Sequence, residues 1–408
     1  MSVSTVRLAD VATKIGSGIT PRGGSAVYKT AGRPFIRSQN VGWGDLRLAD
    51  MAYIDEATHS NFPATEIRTG DVLLNITGAS IGRSAVATPA LNGGNVNQHV
   101  CEIRLNPGRM DPRFLNAFLL SRSGQSQIDM FQAGGNRQGL NFRQVGSIQV
   151  PDLPIEQQRE IGSVSQNTDD LIATLDRLIA KKQAIKQGMM QQLLTGRTRL
   201  PGFSRDWVEL RAGDLGTFKG GSGFAPRYQG AASGPIPFFK VSDMNNEGNE
   251  LFMRRANNYI TESQRKSMAA ALMPAEAIVF AKVGAAVFLE RKRILTIPSC
   301  IDNNMAAYVV DKERVDVRFM HYLLSDFPMS SLVATGALPS LNGGQLRSIP
   351  ISLPFELDEQ RAIAVVLADC DAEIRVHQAR LAKARDTKTG MMQQLLTGRI
   401  RLPVEAAS

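Results

Sequence analysis

The sequence predicts an α+β protein in which two globular domains of mixed α/β structure alternate with two long, antiparallel coiled-coil helices. Three observations lead to this prediction: a segment that occurs twice, a heptad-like apolar pattern before each copy, and short β-rich runs elsewhere. The segment GMMQQLLTGRTRLP, which begins at Gly188, recurs from Gly390 with one difference in fourteen positions. A match of this length predicts two like units, an internal repeat related by a pseudo-two-fold axis.

The similarity between the two units is nearly complete at their ends and faint in their bodies. EQQREI and DEQRAI follow the two Leu-Pro pairs, PFIR is matched by PFFK, and GSGITPR from Gly16 is matched by GSGFAPR from Gly221. Matching ends predict one task done twice, whereas differing bodies predict that each body reads something different. We predict a first domain at 1–154, a first helix at 155–200, a second domain at 201–354, and a second helix with a tail at 355–408.

The bodies combine β-rich runs with glycine- and asparagine-rich turns, a pattern typical of irregular mixed α/β domains. The runs that predict strands are DVLLNIT from Asp71, CEIRL from Cys101 and AIVFAKV from Ala277. Apolar residues at helical spacing predict one helix in each body, from Pro112 and from Val317. We expect these helices to pack on the sheets with their aromatic side chains in the core.

A long proline-free stretch with an apolar seam follows each Leu-Pro pair and predicts a long helix. Pairing the two seams with each other, antiparallel, is the simplest way to bury both. The polar seam positions Thr168, Lys182 and Lys388 are expected to weaken this pairing locally, and they are candidate positions at which another chain joins. Such helices would hold the two domains at opposite ends of a rod.

Charge and cysteine content narrow the function classes without deciding among them. The formal net charge of +9 at pH 7 favours a polyanionic partner such as nucleic acid, although a basic protein that is merely soluble would look the same. Cys101, Cys300 and Cys370 are widely spaced, so neither a disulfide framework nor a zinc site is indicated. We see no signal peptide or membrane span, and therefore expect a cytoplasmic protein without membrane contact.

Two variable domains, each followed by a helix that ends in MMQQLLTGR, resemble the specificity subunits of type I restriction-modification systems over essentially the whole chain. In the first body, TGDVLLNITGASIGRSAV from Thr69, NVNQHV from Asn95 and GGNRQGLN resemble the successive motifs of a target-recognition domain of that family. The resemblance implies that each domain reads one half of a bipartite double-stranded DNA target and that the helices act as a spacer. It also implies two docked methyltransferase (modification) subunits, with restriction subunits binding through them.

Common enzyme motifs are missing, which agrees with a non-catalytic subunit. The sequence has no GxxxxGK[ST], no HExxH and no GxSxG, and Asp111-Pro112-Arg113 lacks the second proline of a methyltransferase motif. The histidines are scattered, at His59, His99, His321 and His377. We predict no catalytic residue, no cofactor and no metal site, and expect methyl transfer to come from a partner.

The glycine-rich turn TGASIGR is the first candidate for DNA contact. Its glycines let backbone amides approach phosphates, where Thr77, Ser80 and Arg83 would add hydroxyl and charge-assisted bonds, although an ordinary tight turn needs the same glycines. The second body has KVGAAVF from Lys282 in its place, without the Thr, Ser and Arg. We keep Lys282 as the candidate there.

Amide side chains are the second group of candidates because Asn and Gln can bond adenine bidentately. Asn97 and Gln98 carry such amides in the first body, with Asn303 and Asn304 as their counterparts. Amides at such positions also cap turns. A further polar, glycine-flanked segment mixes donors and acceptors as a base-reading loop must, although a solvated loop would look the same. This segment contributes Arg137, Gln138, Asn141 and Arg143, with Asn342 in the second body. Weaker candidates are Arg22, Arg37, Gln39, Arg227 and Lys240.

The repeated MMQQLL segments are predicted to be equivalent docking surfaces for two methyltransferase subunits. The residues concerned are Met189, Met190, Leu193, Leu194, Met391, Met392, Leu395 and Leu396. Met and Leu at helical spacing are also ordinary core residues, which is the alternative. For the whole chain, the alternative function is a non-DNA scaffold of two domains held by a coiled coil. Salt-dependent retention on DNA would separate the two functions.

Overall fold

The chain divides into two compact units, and the boundary between them falls within each of the two long helices. The structure, a computed structural model, describes residues 4–132, 139–333 and 339–396. Unit 1 comprises Met1–Leu178 and His377–Ser408, and unit 2 comprises Ile179–Val376. The sequence-based boundaries kept each helix whole, at 155–200 and from 355 onward. The structural boundaries differ because each helix packs along its length on different domains, so its two parts belong to different units.

Unit 1 is an α+β body with three small sheets. Strands β2, β8, β5 and β6 form an antiparallel sheet in that order, β4, β3 and β7 form a second sheet, and β1 pairs with β9. The strands are β1 Thr5–Arg7, β2 Ala12–Ser17, β3 Arg33–Ile36, β4 Ala52–Ile54, β5 Val72–Asn75, β6 Ser84–Val86, β7 Asn95–Val96, β8 Val100–Leu105 and β9 Gln149–Pro151. The helices are α1 Leu8–Val11, α2 Glu56–His59, α3 Pro112–Leu120, α4 Arg122–Gln132, α5 Phe142–Ser147 and α6 Ile155–Leu193.

Unit 2 has a closely similar set of elements. Its main sheet has the order β11-β18-β15-β16-β13, a second sheet has the order β14-β12-β17, and β10 pairs with β19. The strands are β10 Trp207–Arg211, β11 Gly216–Gly220, β12 Ile236–Phe239, β13 Phe252–Met253, β14 Tyr259–Ile260, β15 Ile278–Ala281, β16 Lys292–Leu295, β17 Cys300–Ile301, β18 Met305–Val310 and β19 Pro350–Pro354. The helices are α7 Glu262–Ser267, α8 Val317–Asp326, α9 Gly343–Arg347 and α10 Leu357–Leu396.

The predicted strands and body helices are confirmed. The three β-rich runs form β5, β8 and β15, and the two predicted body helices are α3 and α8. Each of these helices starts at an aspartate: the carboxylate of Asp111 accepts the amide of Phe114 at 3.1 Å, and that of Asp316 accepts the amide of Phe319 at 2.9 Å. Phe114 and Phe319 are fully buried in the main cores of their units, so the caps fix where each helix enters its core.

A buried glutamine ties the start of each long helix to the domain of its unit. Gln158 accepts the amide of Asp111 at 3.0 Å and donates to the carbonyl oxygens of Arg109 and Leu153 at 3.1 and 2.8 Å. Gln360 makes the same three bonds in unit 2, to the amide of Asp316 and to two carbonyl oxygens. These bonds explain why glutamine recurs in EQQREI and DEQRAI.

In unit 1, ion pairs join the first long helix to the second. Lys388 pairs with Asp169, and Arg385 pairs with Asp176 at 2.9 Å. Because the residue numbers run in opposite directions, the two helix segments within this unit are antiparallel. Lys388 was expected to weaken the seam, and in the structure its ammonium meets a carboxylate of the other helix segment. Thr168 donates its hydroxyl to its own helix, at the carbonyl of Val164.

The helix segments of unit 2 are joined in the same way. Lys182 pairs with Glu373 and Lys186 pairs with Asp371, both at 2.6 Å. Lys182, the other lysine expected to weaken the seam, thus also meets a carboxylate of the opposite helix segment. Tyr322 of α8 donates its hydroxyl to the same Asp371 at 2.8 Å, which attaches the helix pair to the domain of unit 2.

The predicted docking side chains are mostly buried. Met190, Leu193 and Leu194 lie in the main core of unit 2, although α6 follows the first domain in sequence. Met392, Leu395 and Leu396 lie in the main core of unit 1, although α10 follows the second domain. Buried side chains present no surface to another protein, so these six correct the docking prediction in favour of its alternative, ordinary core packing. Met189 and Met391 are half-buried beside the same cores.

Candidate nucleic-acid interface

Four loops of unit 1 meet at one end of its main sheet, where β2 and β5 end and β8 begins, and they include three of the predicted motifs. We call this set the loop face of unit 1. Its loops are 18–22, 77–83, 97–99 and 139–143. Each loop follows or precedes a strand or helix whose buried residues hold it in place, as at β5, β8 and α5. A rigid scaffold that presents polar loops is a common design for binding sites.

Side-chain contacts connect three loops of this face, and a backbone bridge adds the fourth. The hydroxyl of Thr20 donates to the amide oxygen of Gln98, and the amide nitrogen of Gln98 lies 3.1 Å from Nε2 of His99. Oγ1 of Thr77 lies 2.5 Å from Nδ1 of the same His99. Thr77 in turn forms an antiparallel bridge with Gly139. The contacts thus form one chain across the face, with His99 at its centre.

Unit 2 has a corresponding loop face, comprising 221–227, 282–291, 302–304 and 339–342. Backbone bonds hold its loops together. Lys282 donates its amide to the carbonyl of Asn304 at 2.8 Å and accepts the amide of Leu341 at 2.9 Å. Gly284 donates to the carbonyl of Pro339 at 2.8 Å. Ser222 forms a bridge with Asp302.

One glycine in each face allows the closest approach between loops. A Cβ atom on Gly18 would lie 1.5 Å from the carbonyl oxygen of Val96, and one on Gly221 would lie 1.8 Å from that of Asp302. No side chain fits at either position. One glycine of each GSG motif is therefore needed for packing, and the strand registers match Gly18 with Gly221 rather than Gly16 with Gly221.

The amide residues of the two units correspond differently from the sequence-based pairing, by one position, as their hydrogen bonds show. The side-chain oxygen of Asn97 accepts the amide of His99 at 3.0 Å, and that of Asp302 accepts the amide of Asn304 at 3.0 Å. Asp302 is therefore the counterpart of Asn97, and Asn304 stands where unit 1 has His99. Burial raises the pKa of Asp302.

The same comparison corrects the position of Lys282. Ile76 donates its amide to the carbonyl of His99 at 3.0 Å, just as Lys282 does to Asn304. Lys282 therefore corresponds to the buried Ile76, and the counterpart of Thr77 is Val283. In the folded unit, Nζ of Lys282 lies beside Gly220, at 3.1 Å from where a Cβ of that residue would be.

Three predicted amides have structural tasks, which corrects the expectation that they read bases. Asn97 is 7% exposed, and its oxygen caps the turn to His99. Asn141 and Asn342 are the N-caps of α5 and α9, where their oxygens accept helix amides at 2.9 Å. Such a bond fixes the orientation of the amide group and occupies one of the two acceptor positions of its oxygen.

Arginine and lysine candidates divide between free and engaged side chains. Arg37 donates to the carbonyl of Asp50 at 2.9 Å and lies over the Tyr28 ring, and Lys240 donates to Gln229 at 3.1 Å. Arg83 is half-buried, and its Nε is buried without a hydrogen-bond partner among the described residues. The hydroxyl of Ser80 is 3.5 Å from the carbonyl of Thr77.

The remaining predicted residues are exposed, or lie outside the described part of the chain. The exposed ones are Arg22, Gln39, Gln98, Arg143, Arg227, Asn303 and Asn304. Arg137 and Gln138 fall outside the described residues. Sequence reasoning missed Thr20 and His99. Both had a signal, since Thr20 lies in the repeated GSGITPR motif and His99 lies in NVNQHV.

The described residues contain neither a metal cluster nor a spanning helix. Among 4–132, 139–333 and 339–396, no three His, Cys, Asp or Glu side chains are grouped so that they could hold a metal ion. In the same ranges, no helix combines the length and apolarity needed to cross a membrane.

Comparisons with known proteins agree with the motifs. Residues 204–385 match the model of the type I restriction modification DNA specificity domain. The chain is 24% identical over 413 residues to a protein of Methanocaldococcus jannaschii named as type I restriction enzyme MjaX specificity subunit, covering 97% of this chain and 93% of that protein. It is 23% identical to the MjaVIII specificity subunit of the same organism, covering 63% of each.

A solved structure shares the fold. The crystal structure of the type I restriction-modification system S subunit from M. genitalium superposes with a TM-score of 0.64 at 13% identity, over 96% of this chain and 95% of that one. The domain match and the two relatives agree with each other. Residues 204–385 carry the type I restriction modification DNA specificity domain, and the chain is similar to specificity subunits of type I restriction-modification systems, which supports a subunit that recognises DNA.

Proposed function

We propose that each loop face reads one half of a bipartite double-stranded DNA target. The observation that carries this proposal is that matching backbone bonds at Ile76 and at Lys282 join corresponding loops in the two units, while the exposed side chains on those loops differ. Gln98 in unit 1 corresponds to Asn303 in unit 2, and His99 corresponds to Asn304. A common frame with different side chains is what two readers of different sequences require.

Binding to DNA should show the salt dependence that phosphate contacts impose. We expect the logarithm of the association constant of the full chain for duplex DNA to fall linearly with the logarithm of salt concentration. Arg143→Ala, on the loop face of unit 1, should reduce this slope by about 1. Arg177→Ala, at an exposed position of α6, is the matched control and should leave it unchanged. Retention that is independent of salt would favour the protein scaffold instead.

We propose that the two long helices form an antiparallel coiled coil that spaces the half-sites, within an internal repeat of pseudo-two-fold symmetry. The repeated sequence and the opposed ion pairs within each unit support this arrangement. Inserting four residues into α6 lengthens that helix by about 6 Å, nearly two base-pair steps. The selected target should then keep both half-sites and change the length between them. An unchanged spacer in a folded, active complex would contradict the ruler function.

Two modification subunits are proposed to dock on the chain, with restriction subunits bound through them, in the cytoplasm. Duplication of the segment around Met189 and Met391 supports two equivalent sites. Since six of the eight predicted docking side chains are buried, the contact would use these two half-buried methionines and their exposed neighbours. Native mass spectrometry of the full chain with the modification subunit of its own system should find two copies bound. A single copy at saturation would argue against equivalent sites.

A further inference from the structure

The loop 284–290 of unit 2 exposes two adjacent large apolar side chains. Phe288 and Leu289 are each 55% exposed. The corresponding loop of unit 1, which begins at the bridge of Thr77, exposes Gly78 and Ala79 instead. Adjacent exposed apolar residues cost solvation free energy, and in soluble proteins such patches mark contact sites.

The structure fixes this loop at both ends and in the middle. Gly284, with φ of +81°, starts the loop and donates its amide to Pro339. Val287 is 3% exposed and anchors the centre of the loop in the main core of unit 2. Glu290, with φ of +53°, ends the loop, and its carboxylate accepts the amides of Met329 and Ser330 at 3.1 and 2.8 Å. Phe288 and Leu289 are thus held outward by fixed backbone.

The chemistry of the loop limits what it can recognise. Between Gly284 and Glu290 the sequence is Ala-Ala-Val-Phe-Leu, so no side chain there can donate or accept a hydrogen bond. Such a loop cannot read the hydrogen-bonding edges of bases. The apolar group that distinguishes one base in the major groove is the methyl group of thymine, which Phe and similar side chains contact.

The surroundings of the loop favour DNA as the occupant over another protein. Lys282 precedes the loop and Arg291 follows it, so a cationic residue lies at each end of the apolar segment in the sequence. The one acid of the loop, Glu290, is paired with Lys292. The loop also belongs to the face that carries Asn303. Cations around a small apolar tip match a base edge flanked by phosphates.

We propose that Phe288 and Leu289 recognise thymine methyl groups in the half-site that unit 2 reads. This inference rests on the proposed function and adds a mode of readout to it. Unit 1 would use hydroxyl and amide groups at the same place, through Thr77 and its neighbours. Unit 2 would instead distinguish an A·T pair by the shape and apolarity of one methyl group.

The test removes the methyl group from the DNA and the apolar side chains from the protein. The full chain first selects its target from a randomised duplex pool. Each half of that target is then prepared with uracil in place of thymine, which deletes only the methyl groups. For the unmodified chain, uracil in one half should weaken binding about fourfold for each contacted methyl. For the double variant Phe288→Ser/Leu289→Ser, the thymine and uracil duplexes should bind equally.

A matched variant controls for the loss of an exposed aromatic ring. Phe355, in the same unit, is 56% exposed and lies outside the loop face, so Phe355→Ser should retain the fourfold discrimination. Thermal unfolding checks that all variants are folded. Equal uracil sensitivity in the double variant and the unmodified chain, or a target half without any A·T pair, would overturn this inference alone. Failure of the unmodified chain to select any sequence would overturn the proposed function and this inference with it.

Discussion

Asn97 and Gln98 are neighbours on the loop face of unit 1 and have different tasks. Asn97 is buried, and its oxygen holds the turn that positions His99. Gln98 is exposed and contacts Thr20 and His99 through its amide group. The two side chains carry the same functional group, so their environment alone decides which one is available to DNA.

Alanine in place of Asn97 should therefore affect the stability of the unit, whereas alanine in place of Gln98 should affect the binding of DNA. Asn97→Ala should lower the free energy of unfolding by about 1 kcal/mol, because the amide of His99 loses its acceptor. Gln98→Ala should leave stability unchanged and weaken binding to the selected duplex by about 1–3 kcal/mol, the range for one base contact. Denaturant titration and DNA titration measure the two effects. Unchanged DNA affinity in Gln98→Ala would remove that residue from the interface.

His321 should make unit 2 sensitive to acid. The ring is buried in α8, Nε2 lies 3.0 Å from the carbonyl of Lys292, and burial lowers the pKa of His321 to about 4. The unfolded chain takes up this proton near pH 6.5 and the folded chain only near pH 4. The stability that the neutral ring supplies is thus complete above pH 6.5 and is lost as the pH falls toward 4, at roughly 1.4 kcal/mol per unit of pKa difference.

The measurement uses the fluorescence of Trp207, with Trp43 replaced by Phe so that only unit 2 reports. In this background, His321→Asn should remove most of the decrease in the unfolding free energy of unit 2 between pH 6.5 and pH 4. Asparagine is a suitable replacement because Asn116 occupies the equivalent place in α3 of unit 1, where it accepts the hydroxyl of Ser84 at 2.8 Å. An equally steep acid loss in His321→Asn would assign the effect to other groups.

At the level of elements, Gln158 and Gln360 tie the two long helices to the domains. Replacing each of them should lower the stability of its own unit by a similar amount. Gln158→Ala removes the partner of a buried amide and of two part-buried carbonyl oxygens, which should cost about 3 kcal/mol of unfolding free energy in unit 1. Gln360→Ala should do the same in unit 2. Gln166→Ala, on the exposed side of α6, is the control and should change little. Hydrogen exchange of β5 and β15 amides assigns each loss to its unit. If one substitution lowered the protection of both units equally, the glutamine would not act on its own unit alone, which would contradict this role.

The sequence predicted the elements better than it predicted the site. The α+β class, the strands β5, β8 and β15 and the helix starts at α3 and α8 are visible in it because apolar spacing and caps are local signals. The tasks of Asn97, Asn141 and Asn342 were not visible. An amide reads bases or caps a turn according to which backbone groups the fold brings near it. The shift of pairing between Asn97 and Asp302 also needed the hydrogen bonds, since the letters align equally well either way.

In the whole molecule, the end of α6 lies in the core of unit 2 and the end of α10 lies in the core of unit 1. The order of the chain does not suggest this arrangement, and it leads to a prediction. Met392, Leu395 and Leu396 complete the core of unit 1 from the far end of the sequence. Deleting residues 390–408 should therefore destabilise unit 1, on the order of 5 kcal/mol for three large apolar side chains. Unit 2 should keep its stability. Protection of β8 amides should fall and that of β18 amides should persist. A loss of amide protection confined to unit 2 would contradict the packing of Met392, Leu395 and Leu396 in unit 1.

The two units are expected to read two half-sites independently of each other. Residues 203–350 can be exchanged for the corresponding region of a relative while both long helices and the first domain stay as they are. The hybrid, with the modification subunit of its system, is then expressed in a host whose genome is sequenced for methylated sites. Independent reading predicts a new bipartite target in which one half is unchanged and the other half is new. A target in which both halves change, or neither does, would contradict it.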